Sequence, residues 1–318
     1  MTLYYLLFLY IPMFFFPLCK DGALKFFKLI LVFLYSFYIL FHLNSGPDHV
    51  IYQWAYEQDT FTLFEPLYLL LMYLANSFGF EYFGFLIFLK FINIILFSVF
   101  LFNSDKYTVL FFLCFYIPIS FITFELNLLR QSLAIHFSLL FYTTFRKGCI
   151  KLSIFFVILA ILSHISSLLL LLLYIWKVNK VFLLFFVVIV VSIALPLLTS
   201  KFFDYYHLGG FELRSGVFVI QLAVLLILPF ILYKFSGDYT ALFLYFFICL
   251  LSFAPVMVRL YPLALVLVMP FVYLRFKDKY LIYILLVASF SLCTLKIGLL
   301  ISADQSAIKE GVYEKGYQ

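Results

Sequence analysis

Charge is what this sequence has least of: 11% of its 318 residues are charged, against 67% hydrophobic. Soluble domains carry about a quarter charged residues, so the surface of this fold faces lipid, and the chain leaves no room for a separate soluble domain. Cysteine is sparse and scattered. Cys19, Cys114, Cys149, Cys249 and Cys293 show no pairwise ligand spacing, which argues against a disulfide framework and against a zinc site. No Walker loop, dinucleotide fingerprint, HExxH or nucleophile elbow occurs, so nucleotide-driven and serine-hydrolase chemistry lack support. No repeat of fixed period and no low-complexity linker divides the chain. The expected organisation is one membrane domain over 1–301 and a polar tail over 302–318.

What the sequence has in abundance is apolar runs. They lie near 2–18, 26–43, 83–102, 108–124, 131–145, 181–199, 217–233, 240–257, 260–274 and 280–300, each close to the roughly 20 residues that carry a helix across about 30 Å of hydrocarbon. The runs are continuous, whereas barrel strands alternate over about 10 residues. The predicted fold class is therefore all-α, a polytopic transmembrane bundle of about 10–13 helices. The first run lacks a basic leader and a small-residue cleavage site, so it is expected to span.

Two stretches, 66–80 and 152–176, are ambiguous. Basic residues cluster at Lys20, Lys25 and Lys28, at Arg146, Lys147 and Lys151, and again around Lys177, Lys234 and Arg275. The positive-inside rule puts all of them in the cytoplasm, and simple alternation of spans cannot do so. One arrangement does: 66–80 dips back without crossing, and 152–176 folds as an in-and-out pair bent near Ser163-His164. Broken helices of this kind are tolerated around a water-filled cavity. The same arrangement collects Asp48, Glu57, Glu65, Glu125 and Asp204 on the outer face with Arg130, Arg214 and Arg259.

Several of these residues suit chemistry. Arg130 heads a span, where a guanidinium fork and unpaired helix N–H groups together attract an anion. His164 lies among serines inside an apolar stretch, and ionisable groups in such places face cavities or partners. It is expected to orient a hydroxyl or take its proton. Asp48 and Glu65 each begin an apolar segment beside a proline. The stretch 201–216 combines aromatics and glycines with Asp204, Tyr205, His207, Glu212 and Arg214, a composition suited to carbohydrate. Arg259 is a second cation at the depth of Arg130, and two arginines suit a pyrophosphate. Lys90 and His136 read as structural, and Lys296 is expected to snorkel outward.

In order along the chain, Gly46-x-Asp48-x-x-x-Tyr52, Phe64-Glu65-Pro66-Leu67-Tyr68, Arg130-Gln131-x-x-Ala134 and Leu159-Ala160-x-x-Ser163-His164-x-Ser166 are followed by an outer loop and Arg259. This order resembles the Wzy-type polysaccharide polymerases, in particular their EpsG-like branch, over about residues 1 to 300. The resemblance implies a GT-C-like fold in the bacterial inner membrane with a cavity facing the periplasm. It implies a glycosyltransferase that moves a growing glycan from undecaprenyl pyrophosphate onto a lipid-linked repeat unit, with no cofactor or metal. Its partners would be the lipid-linked donor and acceptor, membrane lipid and a chain-length regulator protein, with no nucleic acid. Arg130, Arg259 and Arg214 would hold pyrophosphate, and His164, Glu65 and Asp48 would be catalytic. Tyr52, Gln131, Ser166, Asp204, Tyr205 and His207 would touch glycan. The rival readings are a glycan ligase, a membrane O-acyltransferase and a flippase.

Overall fold

The computed structural model describes residues 2–43, 48–58, 64–178, 261–272 and 279–309. A 3₁₀ segment, Thr2–Leu9, runs into α1 (Tyr10–Phe15) and is followed by α2 (Asp21–Phe41), α3 (His49–Glu57), α4 (Pro66–Ser77) and α5 (Tyr82–Asn103). Then α6 (Lys106–Tyr116) continues as a π-helix, Ile117–Asn127, and leads into α7 (Leu129–Arg146) and α8 (Ile150–Ser163). A 3₁₀ turn, Ile165–Leu170, precedes α9 (Leu171–Val178). Last come α10 (Tyr261–Val272) and α11 (Lys279–Lys309). Helix α11 runs past Ile301, so 302–309 continue it.

Among the described residues, 21–41, 82–103, 106–127 and 282–301 are long and apolar enough to cross a membrane. On α5 the residues Ile87, Phe91, Ile95, Val99 and Phe102 form an exposed stripe at helical spacing, and Phe26, Leu29, Phe33 and Phe37 do the same on α2. Continuous apolar stripes of that length are unstable in water and stable in lipid. The centre is built the other way round. Every residue of α7 from Gln131 to Thr144 is buried, although this helix carries Gln131, Ser132, His136, Ser138, Thr143 and Thr144.

The bundle has two polar ends. At one, Lys28 Nζ donates to the Ser104 carbonyl (2.6 Å), Arg146 pairs with Asp105 (2.7 Å) and Lys147 reaches Asn103 (2.7 Å). Lys106 there reaches the Cys19 carbonyl (3.2 Å). This basic end therefore gathers the start of α2, the α5–α6 turn and the end of α7. At the other end, His49 Nε2 meets the Leu126 carbonyl (2.7 Å), Tyr82 meets His49 (2.9 Å), and Arg130 pairs with Glu65. Arg130 and Arg146 stand about 24 Å apart along α7 at 1.5 Å per residue.

This frame settles the two ambiguous stretches. Helix α4 begins beside Glu65 and is followed by Phe80, whose carbonyl accepts from Tyr56 of α3 (2.7 Å). Both of its ends lie at the same end of the bundle, so α4 does not carry the chain across. Gly79 makes the turn out of it at φ +74°, a conformation that glycine adopts without penalty. Helix α8 starts at the basic end and stops at Ser163, and the chain then returns, so that Tyr174 meets the Ser153 hydroxyl (2.5 Å). His164 is the tip of that hairpin.

Candidate functional site

Three breaks in helical structure build the site. Pro66 opens α4, and the residue before a proline is pushed to extended backbone; Glu65 obeys at φ −70°, ψ 151°. Leu128 ends the π-helix at φ −91°, ψ 69°, so Arg130 falls in the first turn of α7. His164 ends α8 in an extended conformation and caps the 3₁₀ turn that follows, its Nδ1 accepting from the Ser166 N–H (3.2 Å). Each break frees backbone polarity and points one ionisable side chain at the same place.

There the Arg130 guanidinium pairs with Glu65 Oε2, and His164 Nε2 stands 3.7 Å from Glu65 Oε1. The Gln131 amide is 2.9 Å from the same imidazole nitrogen. The guanidinium also lies 4.7 Å from the centre of the Phe64 ring and 5.8 Å from that of Tyr52, within cation–π range. Glu65, His164 and Arg130 are partly exposed, at 17%, 16% and 25% of their side-chain surface, so the cluster is reachable.

Two groups meet His164 Nδ1: the Ser166 N–H (3.2 Å), which can only donate to it, and the Ser166 hydroxyl (2.7 Å), which can donate or accept. The amide contact favours the neutral tautomer with its proton on Nε2, and in that tautomer Nε2–H faces Glu65 and Gln131. Among the described residues the buried Gln131 Oε1 has no hydrogen-bond partner, and turning the amide by half a rotation makes that oxygen the acceptor. Arg130 Nε is likewise buried and without a hydrogen bond among the described residues.

The structure thus joins Tyr52, Glu65, Arg130, Gln131, His164 and Ser166. Asp48 is one turn before Tyr52 at the head of α3 and is tied in by its backbone N–H, which donates to Asn127 Oδ1 (2.9 Å). No hydrogen bond or ion pair joins its carboxylate to the cluster among the described residues. Asp204, Tyr205, His207, Arg214 and Arg259 lie outside the described residues. Among the described residues no three His, Cys, Asp or Glu side chains stand together as a metal site.

Two expectations are corrected. Glu125 is not an outer-face acid: it is fully buried, and it accepts from Tyr116 (2.6 Å), Tyr35 (2.9 Å) and Ser132 (2.8 Å). Lys296 does not snorkel; it is buried and donates to the Ile119 carbonyl. Lys90 donates to the Glu125 carbonyl, and His136 stands 3.6 Å from the Glu125 carboxylate. The two lysines hold carbonyls near either end of the π-helix, where i→i+5 pairing and Pro118 disturb the ordinary ladder. His49, which anchors α3 to that π-helix, was also overlooked. Spacing held a clue to the buried network: Lys90 with Asn93, and Ser132 with His136, each share one helix face.

Fold and site together define a multi-pass α-helical membrane protein with a polar, accessible cluster at one end of a central buried helix. The EpsG family model matches residues 25–310. The chain belongs to the EpsG family, which is linked to polysaccharide biosynthesis. No curated protein and no solved structure matches it.

Proposed function

We propose that this protein is a membrane-embedded glycosyltransferase that polymerises lipid-linked oligosaccharide repeat units, with undecaprenyl pyrophosphate as the carrier and its site facing the periplasm. The observation that carries this reading is the convergence of Arg130, Glu65 and His164 at the end opposite the basic residues. Lys28, Lys106, Arg146 and Lys147 share the other end, which the positive-inside rule assigns to the cytoplasm.

The reaction needs a leaving group stabilised and a hydroxyl activated. Lipid pyrophosphate already leaves well, so a fixed cation is enough to meet its developing charge. Arg130 supplies that cation, with Nε as its uncommitted donor. In the tautomer that presents Nε2–H, His164 serves as an orienting donor, and Glu65 is the group that takes the acceptor proton. The acceptor oxygen then bonds to the anomeric carbon as the carbon–oxygen bond to pyrophosphate breaks. That electron pair leaves with the phosphate, beside Arg130. Arg214 and Arg259 are proposed as further pyrophosphate contacts, with Asp48 shaping the acceptor side.

The direct test is deletion of the gene. Cells are expected to keep synthesis and export of the repeat unit and to accumulate a single unit on carrier or core, visible as one band where wild type shows a ladder. A full ladder in the deletion strain would end this reading.

A further inference from the structure

We infer that the protein has a second glycan-binding site, a cleft of about 620 Å³ between the ends of α3 and α4 and the start of α5, separate from the Arg130 cluster. It deepens the polymerase reading and rests on it only for the name of the reaction. Its walls carry Gln53 and Glu57 from α3, Asn76 from the end of α4, and Glu81 and Phe83 from the start of α5. Tyr56 and Tyr82 close its floor, the first through its bond to the Phe80 carbonyl (2.7 Å) and the second through His49 (2.9 Å).

Three features point to carbohydrate. The wall residues Gln53, Glu57, Asn76 and Glu81 are exposed, and such groups are costly in hydrocarbon, so the cleft opens to water although it adjoins lipid-facing surface. Carboxylates and amides are the side chains that accept from and donate to vicinal hydroxyls, while the exposed ring of Phe83 offers an apolar face to the C–H face of a sugar. A few convergent polar groups on a concave, partly aromatic wall are the general form of a small-ligand site. Two carboxylates with no cation among the described lining residues select an uncharged or amino-bearing glycan over an acidic one.

Helix α3 connects the two sites. Tyr52 belongs to the Arg130 cluster and Glu57 to the cleft, about 8 Å apart along the helix at 1.5 Å per residue. A chain whose end sits at Glu65 can therefore lay a more distant sugar in the cleft. The cleft holds the glycan in register between successive additions and so raises the number of units joined.

The test uses full-length protein in lipid nanodiscs. The probe is the repeat-unit oligosaccharide released by mild acid from the lipid-linked intermediates of the source cells, so that it carries no pyrophosphate. Binding is read by saturation-transfer NMR with titration. Phe83→Ala and the pair Glu57→Gln/Glu81→Gln alter exposed side chains and are expected to keep wild-type melting. Each should weaken binding by at least about tenfold, the loss of one or two good contacts, while Arg130→Lys binds the probe as wild type does. In cells the cleft variants should still join units but give shorter chains. No binding by wild type, or unchanged binding by both cleft variants, overturns the proposal. Cleft-dependent binding together with a full ladder in the deletion strain would keep the cleft and discard the polymerase.

Discussion

The molecule contains two clusters made from the same side chains, each with one carboxylate, one histidine and one cation. In the first, Glu65, His164 and Arg130 come from helix ends and remain partly exposed. In the second, Glu125, His136 and Lys90 come from helix interiors and are buried: Tyr35 bridges the Glu125 carboxylate and His136, Tyr116 and Ser132 donate to that carboxylate, and Lys90 donates to the Glu125 carbonyl. Composition does not separate them; exposure and place on the helices do. Groups at helix ends stay within reach of water, whereas buried polar groups in helix interiors must find partners on neighbouring helices. The first cluster is reachable, and the second ties α2, α5, the π-helix and α7 together.

The sharpest way to break this comparison is to find that the two clusters respond alike. In the exposed cluster, Glu65→Gln should lower polymerisation by about 10²–10⁴-fold, the usual worth of a general base. Arg130→Lys should lower it by about 10²-fold, because an ammonium keeps the charge and loses the planar fork. Both variants should accumulate to wild-type levels and melt normally in detergent. The readout is ladder length in cells complemented with each variant. A wild-type ladder from either variant would remove that residue from the mechanism.

In the buried cluster the effects should reverse. Lys90→Met should cost about 1–3 kcal/mol, since it takes the donor from the buried Glu125 carbonyl and removes a cation whose field the Glu125 carboxylate feels. Combining Lys90→Met with Glu125→Gln should recover part of that loss, because removing both charges costs less than removing one. Unfolding in mixed micelles measures both. If Lys90→Met is fully stable and abolishes polymerisation, the buried cluster belongs to the reaction and the division drawn above fails.

Legibility in the sequence followed the same division. Apolar runs and the prolines locate most of the described helices, because lipid imposes length and composition directly, while the runs at 181–199, 217–233 and 240–257 lie outside the described residues. The bend at Ser163-His164 is visible as polar residues interrupting an apolar stretch, and Arg130 as a cation heading a span. What one-dimensional reading could not supply was depth. Glu125 lies five residues before Arg130 and looks like its neighbour on the same face, yet the π-helix rotates it into the core. Lys296 sits near the end of an apolar run, and nothing in its own segment signals the Ile119 carbonyl that receives it. Both errors arise from partners that are distant in sequence, the one kind of information that periodicity lacks. For Asp204, Tyr205, His207, Arg214 and Arg259 the expectation stands as a proposal.

The smallest effect is expected at the basic end, and there one residue permits a clean dissection. Asp105 caps α6, its Oδ1 accepting from the Tyr107 and Thr108 amides at 3.1 Å each, and its Oδ2 pairs with Arg146 at 2.7 Å. Both side chains of that pair are about a third exposed, which places its worth at about 0–1 kcal/mol. An N-cap is worth about 1 kcal/mol, and asparagine caps nearly as well as aspartate. Asp105→Asn therefore removes the ion pair and keeps the cap, whereas Asp105→Ala removes both. The expected order in micelle unfolding is wild type, then Asn lower by less than about 1 kcal/mol, then Ala lower by about 1–2 kcal/mol. All three should give the same ladder, because this corner stands about 24 Å from Arg130 along α7. If Asn and Ala are equally destabilised, the ion pair outweighs the cap. The basic end would then draw its stability from charge pairing, as the buried cluster does, and not from local helix chemistry.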